Sequence, residues 1–422
     1  MSRVGAGVGG SPGSRGAAFD VAVVGAGIVG LAVAREVRTR HPGLRLVVID
    51  RESGVGEHQT GHNSGVIHSG VYYKPGSLKA RMCVEGARMM YEFCDEHGVA
   101  YERCGKLIVA RDGSELAGLA ELEARGGANG VRGLRRVSAA GIAEIEPGCR
   151  GVGALHCPDT GIVDYAQVAR TLERQLRAQG VEFLLGLRVD RLERRAGVTD
   201  LVTDAGSIRS RFVVCCAGLW SDRLAVAAGA PADPRIVPFR GAYLTLRPSS
   251  PPVVRGLVYP VPDPELPFLG VHVTKRVDGE IVLGPTAMLV CARDGYRLSR
   301  LSVRDGWETL SWPGTWRMGR RFWRTGADEI RMALARRRFL AAAARYVPAV
   351  RSAGLLRGSS AGVRAQAVGR DGKLVDDFVI SSTPGALHVR NAPSPAATSS
   401  LALAREIVSR LPGSPQWPRE WA

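Results

Sequence analysis

Apolar side chains fill Val21–Val24 without interruption, and the run then breaks into Gly25-Ala26-Gly27-Ile28-Val29-Gly30. A short continuous apolar run bounded by glycine predicts a buried parallel strand over Phe19–Val24. Small residues at helical spacing follow, predicting a helix to about Arg40, where His41-Pro42-Gly43 stops it. Leu44–Ile49 predicts a second buried strand, ending at Asp50. The three elements make one βαβ unit.

Farther on, the pattern alternates between helical and strand periods. Helices are predicted over 77–98, 114–126, 164–179 and 326–346, and strands over Cys104–Ala110, Val181–Leu185, Val189–Leu192, Leu201–Thr203, Phe212–Ala217 and Leu387–Asn391. Residues 236–290 carry short alternating runs (Ala242–Leu246, Gly256–Tyr259, Glu280–Leu283) cut by Pro and Gly, as in an antiparallel sheet. This order predicts an α/β fold (α+β overall). A Rossmann-like nucleotide domain is expected from residues 19–75, 150–235 and 355–412, and an antiparallel-sheet substrate domain from 76–149 and 236–354. Residues 1–18 and 413–422 read as tails.

Composition adds little specificity. Lys and Arg number 57 against 40 acids, a formal charge of +17, which favours anionic ligands, anionic membranes or nucleic acid without choosing among them. No zinc knuckle, helix-turn-helix or RNA-binding aromatic motif accompanies the charge, so a nucleic-acid partner is not expected. The eight cysteines form no CxxC pair, pointing to reduced thiols and no metal. No apolar run reaches transmembrane length.

Gly25, Gly27 and Gly30 fit G-x-G-x-x-G between a strand and a helix, and Asp50 ends the next strand. Those glycines permit a tight turn, backbone approach to a pyrophosphate and close helix packing, and the carboxylate suits ribose hydroxyls. NAD and FAD both use this cradle. Two distal features favour a flavin: the small-residue turn in FVVCCAGLWSD (Phe212–Asp222), and Asn391–Ser400, small residues feeding a helix whose N-terminus would stabilise a reduced flavin.

The stretches VVGAGIVGLAVAREV, HQTGHNSGVIHSGVYYKPGSLKARMC, CGKLIVA, TGIVDY, IVPFRGAYLTL, YPVPDPELPFLGVHVT, GVRAQAV and HVRNAPSPAATSSLALA together resemble the FAD-dependent L-2-hydroxyglutarate dehydrogenases, within the broader D-amino-acid-oxidase and glycine-oxidase-like flavoproteins. The resemblance runs from about Phe19 to Val408 and departs from the family pattern at Gly306–Arg324 and at Gly358–Gln366. It implies FAD, held without a covalent bond, an L-2-hydroxy dicarboxylate substrate, 2-oxoglutarate as product, and a quinone or electron-transfer protein as acceptor. It puts the cofactor on Gly25, Gly27, Ile28, Gly30, Asp50, Arg51, Thr60, His62, Asn63, Ser64, Gly65, Val189, Ala217, Gly218, Pro395, Ala396 and Thr398. The expected location is cytoplasmic, peripheral on the inner face of the cell membrane, or mitochondrial in a eukaryote. The competing readings are an amino-acid or amine oxidase of the glycine-oxidase type and a basic FAD-bearing nucleic-acid-binding protein.

Oxidising a 2-hydroxy acid needs a base for the hydroxyl proton and cations for the carboxylates. His68 is the first candidate base, with His62 and His58 nearby and His272 in a strand of the second domain; His388 reads as structural. Arg240 and Arg364 each interrupt an apolar or small-residue stretch and are the candidate carboxylate clamps, with Lys106 third. Tyr73 and Tyr243 are candidate hydrogen-bond donors. Trp312, Trp316 and Trp323, spaced by four and seven with arginines between, predict one helix face that either packs into the core or meets an anionic membrane through residues 306–324.

Overall fold

The computed structural model describes residues 18–249, 252–263, 269–356 and 360–411. The expected tails lie outside them, residue 18 apart. Phe19–Val24 pairs in parallel with Leu46–Asp50 on one side and with Gly206–Cys215 on the other. Glu182–Leu185 and Ala386–Asn391 extend the parallel sheet outward. The hairpin Val189–Arg195/Val198–Thr203 pairs with the first half of Gly206–Cys215, and Val379–Thr383 covers Ala386–Asn391.

Strand period explains why both faces are apolar. Val21 and Val23 face a core filled by the helices Ile28–Arg40, Tyr165–Ala178 and Ala396–Ser409. Ala22 and Val24 face the opposite core, with Leu192, Leu201 and Leu224. Helix Leu78–His97 is a difference from the sequence reading, which grouped it with the second domain. Its Met82, Met89, Met90 and Phe93 sit in the same core as the nucleotide-side helices.

The second sheet has seven strands, in the order Leu244–Thr245, Ile281–Gly284, His272–Lys275, Leu257–Pro260, Lys106–Ala110, Gly153–Cys157 and Arg135–Ser138. All its pairs are antiparallel except Lys106–Ala110 with Leu257–Pro260, where one chain segment meets another more than a hundred residues away. In a separate three-stranded sheet, Arg235–Ala242 pairs along its length with Ala361–Val368. The sequence places Ala361–Val368 in the nucleotide domain, yet it pairs with a strand that the sequence places almost wholly in the other.

The expected helix over 326–346 is two helices, Pro313–Leu334 and Arg336–Ala343, parted at Ala335. The shared tryptophan face does not form. Trp312 precedes the helix, is 2% exposed, and donates from Nε1 to Val368 O at 3.0 Å. Non-helical backbone at Phe322 then separates Trp316 from Trp323. No helix among the described residues is long and apolar enough to cross a membrane.

Candidate active site

The glycine turn is shaped by close approach. Gly25 has φ +113°, and a Cβ there would lie 2.3 Å from the carbonyl oxygen of Cys216. At Gly30 a Cβ would lie 1.9 Å from the carbonyl oxygen of Gly25. Gly27 differs: only Thr60 Oγ1, at 3.4 Å, would be near an added Cβ. A side chain at Gly27 would instead enter a cavity of about 410 Å³ that Gly25, Gly27, Asp50, Arg51, Thr60, Val189, Ala217 and Gly218 line together. This cradle, open at the one glycine where a ligand must approach, fits a dinucleotide.

Asp50 sits at the cavity wall. Its Oδ2 accepts the N–H of Ala26 at 2.6 Å and its Oδ1 the N–H of Glu52 at 2.9 Å. Burial raises its pKa, against the pull of those two N–H groups and His58. Each oxygen keeps a lone pair for a ribose hydroxyl. Arg51 lies over the Trp220 ring, 4.2 Å from its centroid, and pairs with Glu52 at 3.2 Å. Ile28, by contrast, is buried in the core, and its N–H donates to Thr60 Oγ1 at 3.0 Å. It braces the Thr60 loop and does not line the cavity.

The segment after Thr60 is held by its own side chains. Asn63 Nδ2 donates to the carbonyls of Gln59 and Thr60, and its Oδ1 accepts the N–H of Gly65 at 2.8 Å, so Asn63 fixes the turn. Ser64 is partly buried beside it. Pro395 and Ala396 begin the helix that packs behind. Thr398 is 1% exposed, and its Oγ1 accepts the backbone N–H of His68 at 3.1 Å and lies 3.0 Å from Tyr165 Oη. Its hydroxyl therefore anchors the histidine segment.

Two of the four candidate bases are committed elsewhere. His58 joins Glu52 (2.8 Å) to the Tyr296 hydroxyl (3.1 Å). His62 is exposed, stacks on Tyr296 at 4.1 Å and meets the Ala361 carbonyl at 3.2 Å. His388 is fully buried, bonds Thr383 Oγ1 at 2.8 Å, and is lowered by burial to a pKa of about 4, the structural histidine that was expected.

His68 and His272 converge with Lys106. The pKa of His68 is lowered well below the ordinary histidine value, first by burial, then by the charges of Lys106, His272 and Lys79. His68 is partly exposed as a residue, but its Nδ1 is buried without a hydrogen-bond partner among the described residues. The His272 ring is stacked 4.0 Å from Tyr259 and is lowered to about 3, by burial and then by Arg364. Lys106 Nζ lies 4.5 Å from the Tyr72 ring centroid and 5.2 Å from that of Tyr259. The hydroxyl of Tyr72 is also buried without a partner among the described residues.

The arginine pair is split. Arg364 is opposite Phe239, and Arg240 is opposite Val363, so adjacent register positions send the two side chains to opposite faces. Arg364 acts on His272, Tyr243 and Tyr259. Arg240 Nε donates to the Tyr296 carbonyl at 3.0 Å, on the His58–His62 side, so the expected two-arginine clamp does not form. Tyr243 is 8% exposed beside Arg364, while the Tyr73 ring carries Lys79 Nζ 4.9 Å from its centroid. Sequence reasoning missed Tyr72, Tyr259, Lys79 and Tyr296. Tyr72 had a signal, since it adjoins Tyr73; Tyr259 arrives on a paired strand, Lys79 on a packed helix, and Tyr296 on a loop that meets His58 and His62.

Comparison with known proteins identifies the family. The family model described as "FAD dependent oxidoreductase" (DAO) matches residues 20–410. The chain is 47% identical to the mitochondrial L-2-hydroxyglutarate dehydrogenase of Nematostella vectensis, covering 93% of this chain and 90% of that one. It is 45% identical to the protein of that name from Homo sapiens (96% and 90% covered) and 41% identical to L-2-hydroxyglutarate dehydrogenase of Indibacter alkaliphilus (91% and 96%). In fold it is similar to L-alpha-glycerophosphate oxidase of Mycoplasma pneumoniae with FAD bound (TM-score 0.75, 22% identity, 93% and 94% covered). It is also similar to glycine oxidase of Geobacillus kaustophilus (TM-score 0.70, 17% identity, 95% and 96%). The chain belongs to the DAO family of FAD-dependent oxidoreductases, among the L-2-hydroxyglutarate dehydrogenases, and FAD is its cofactor.

Proposed function

We propose that this enzyme oxidises L-2-hydroxyglutarate to 2-oxoglutarate and passes the electrons to a quinone or an electron-transfer protein. The observation that carries the reading is buried Lys106 acting on both His68 and His272, with Arg364 acting on His272 from the strand Ala361–Val368, which supplies two cations for two carboxylates and a neutral imidazole for the hydroxyl. The names of the 41–47% identical relatives supply the substrate.

Bound FAD would supply a two-electron hydride acceptor for the C2 hydrogen. Gly27, Asp50 and the Thr60–Gly65 loop would hold it, without a covalent bond. Cys216, the cysteine lining the nucleotide cavity, is pushed up to about 12 by burial and stays a protonated thiol. His68 accepts the hydroxyl proton at Nδ1, its lowered pKa keeping it neutral and ready near pH 7. Thr398 holds its backbone in place. Arg364 binds one carboxylate and Lys106 the other, while Tyr72 donates from its unpartnered hydroxyl.

A second proposal concerns where electrons leave. Trp307, Trp316 and Trp323 are 73%, 61% and 62% exposed, with Arg304, Arg317, Arg320, Arg321 and Arg324 around them. Aromatic rings among arginines suit the headgroup region of an anionic membrane, which would bring the enzyme to a quinone pool. Such contact goes with a peripheral place on the inner face of the cell membrane, or with the mitochondrion in a eukaryote, as the names of the eukaryotic relatives have it. Dye reduction by L-2-hydroxyglutarate under nitrogen, run beside O₂ consumption with glycine and sarcosine, tests the reaction. Dye reduction alone supports it. Peroxide from the amines with no dye reduction would replace it with the glycine-oxidase-type reading, for which the fold is the sole support.

A further inference from the structure

The cations of the buried cluster are partnered unequally. Lys79 pairs with Asp376 at 2.8 Å, and Arg364 is felt by Glu329. Lys106 is 1% exposed, and its Nζ has no hydrogen-bond partner among the described residues. The groups that act on it are the thiols of Cys157 and Cys83, and both thiols are raised by burial and protonated. The Tyr72 and Tyr259 faces attract an ammonium, but a ring quadrupole offsets only part of the cost of burying one. A buried cation without a counter-ion needs one, and here it can arrive with the ligand.

Arg364 and Lys106 lie at different depths, Arg364 partly buried and Lys106 1% exposed. The strand bearing Arg364 runs along the cofactor loop: the Ala365 N–H donates to Gln59 Oε1 at 3.2 Å, and a Cβ at Gly362 would lie 2.3 Å from the His62 carbonyl oxygen. Lys106 belongs to the seven-stranded sheet, Arg364 to the strand Ala361–Val368 of another sheet; both charges act on the His272 ring, Arg364 more strongly. The C1 carboxylate is bonded to the reacting carbon and so belongs beside the cofactor loop, with Arg364. We propose that Lys106 is the counter-ion of the substrate's second carboxylate, the group that separates a 2-hydroxy dicarboxylic acid from its monocarboxylic analogue, and so sets the specificity of the site. The assignment rests on the dicarboxylate reading above.

The test compares holoenzyme of the wild type with Lys106→Met on two substrates of equal chain length, L-2-hydroxyglutarate and L-2-hydroxyvalerate. The variant is expected to lose about 100-fold or more in kcat/KM for the dicarboxylate and to keep or gain activity on the valerate. Glutarate, which cannot react, should raise the melting temperature of the wild type and not of the variant. The ligand-free variant should melt no lower than the wild type, since an unpaired buried charge has gone. Lys106→Gln keeps a polar group without the charge and should lose the same selectivity, covering the case in which Lys106→Met fails to retain FAD. A parallel fall for both substrates, a kept dicarboxylate preference or a kept glutarate shift would overturn the assignment. If the wild type does not oxidise L-2-hydroxyglutarate, the proposed reaction fails, and the glutarate shift still decides the role of Lys106.

Discussion

The Thr398 hydroxyl accepts the backbone N–H of His68 at 3.1 Å, joining the helix Ala396–Ser409 to the segment that carries the proposed base. Residues separated by 330 positions are thereby fixed to each other at the centre of the site. Thr398→Val keeps the shape and removes the acceptor, leaving a buried N–H unsatisfied at a cost of about 1–3 kcal/mol. We expect kcat to fall more than KM rises, because the base is displaced while the carboxylate ligands stay. Thr398→Ser should restore most of kcat. Equal kcat in Thr398→Val and the wild type would show that the anchor does not position His68.

The pH profile carries the sign of the histidine shift. His68 acts neutral, and its pKa is lowered, so activity should persist below the ordinary histidine value of 6.5 and fall only as pH drops through the lowered pKa. On the alkaline side Lys106 must stay protonated, and burial lowers its pKa from 10.5, so kcat/KM should fall before the ordinary lysine range. His68→Gln should cost about 10²- to 10⁴-fold in kcat and remove the acid limb. An acid limb at or above pH 6.5 in the wild type would contradict the assignment.

At the nucleotide cradle the glycines should separate. Gly27→Ala places a methyl in the cavity with only Thr60 Oγ1 nearby, so the fold should survive while FAD affinity drops about tenfold, a loss of roughly 1.4 kcal/mol. Gly30→Ala would set a Cβ 1.9 Å from a backbone oxygen and should not yield stable protein. Flavin fluorescence titration of the apoprotein measures the first and thermal melting the second. Unaltered FAD binding in Gly27→Ala would mean that the cofactor passes elsewhere.

The tryptophans likewise divide by burial. Trp316→Glu should weaken sedimentation with anionic vesicles and leave stability nearly unchanged, whereas Trp312→Ala should cost about 3–5 kcal/mol of stability, since Trp312 fills the core. Vesicle binding that survives Trp316→Glu and Trp323→Glu together would remove the membrane proposal.

Much of this was legible along the chain wherever the signal is local. Val21–Val24, the three glycines and Asp50 lie within thirty residues of one another, and one period change announces each element. The histidine segment was legible for the same reason, and His68 could be singled out. Arg240 misled because its isolation in an apolar stretch says that it is special without saying to which face it points. That depends on its register against Ala361–Val368, more than a hundred residues on. Lys106 was undervalued for a related reason: its burial comes from the parallel pairing with Leu257–Pro260, which no local pattern encodes. The link from the Thr398 hydroxyl to His68 and Tyr165 joins segments more than two hundred residues apart, so no local pattern announces it.

The most direct test mixes the yellow holoenzyme anaerobically with each enantiomer of 2-hydroxyglutarate and follows the flavin absorbance. Rapid bleaching by the L enantiomer, with none by the D enantiomer and 2-oxoglutarate formed in equal amount to the flavin reduced, is expected. Bleaching by neither enantiomer, with FAD fully bound, would contradict the proposed reaction.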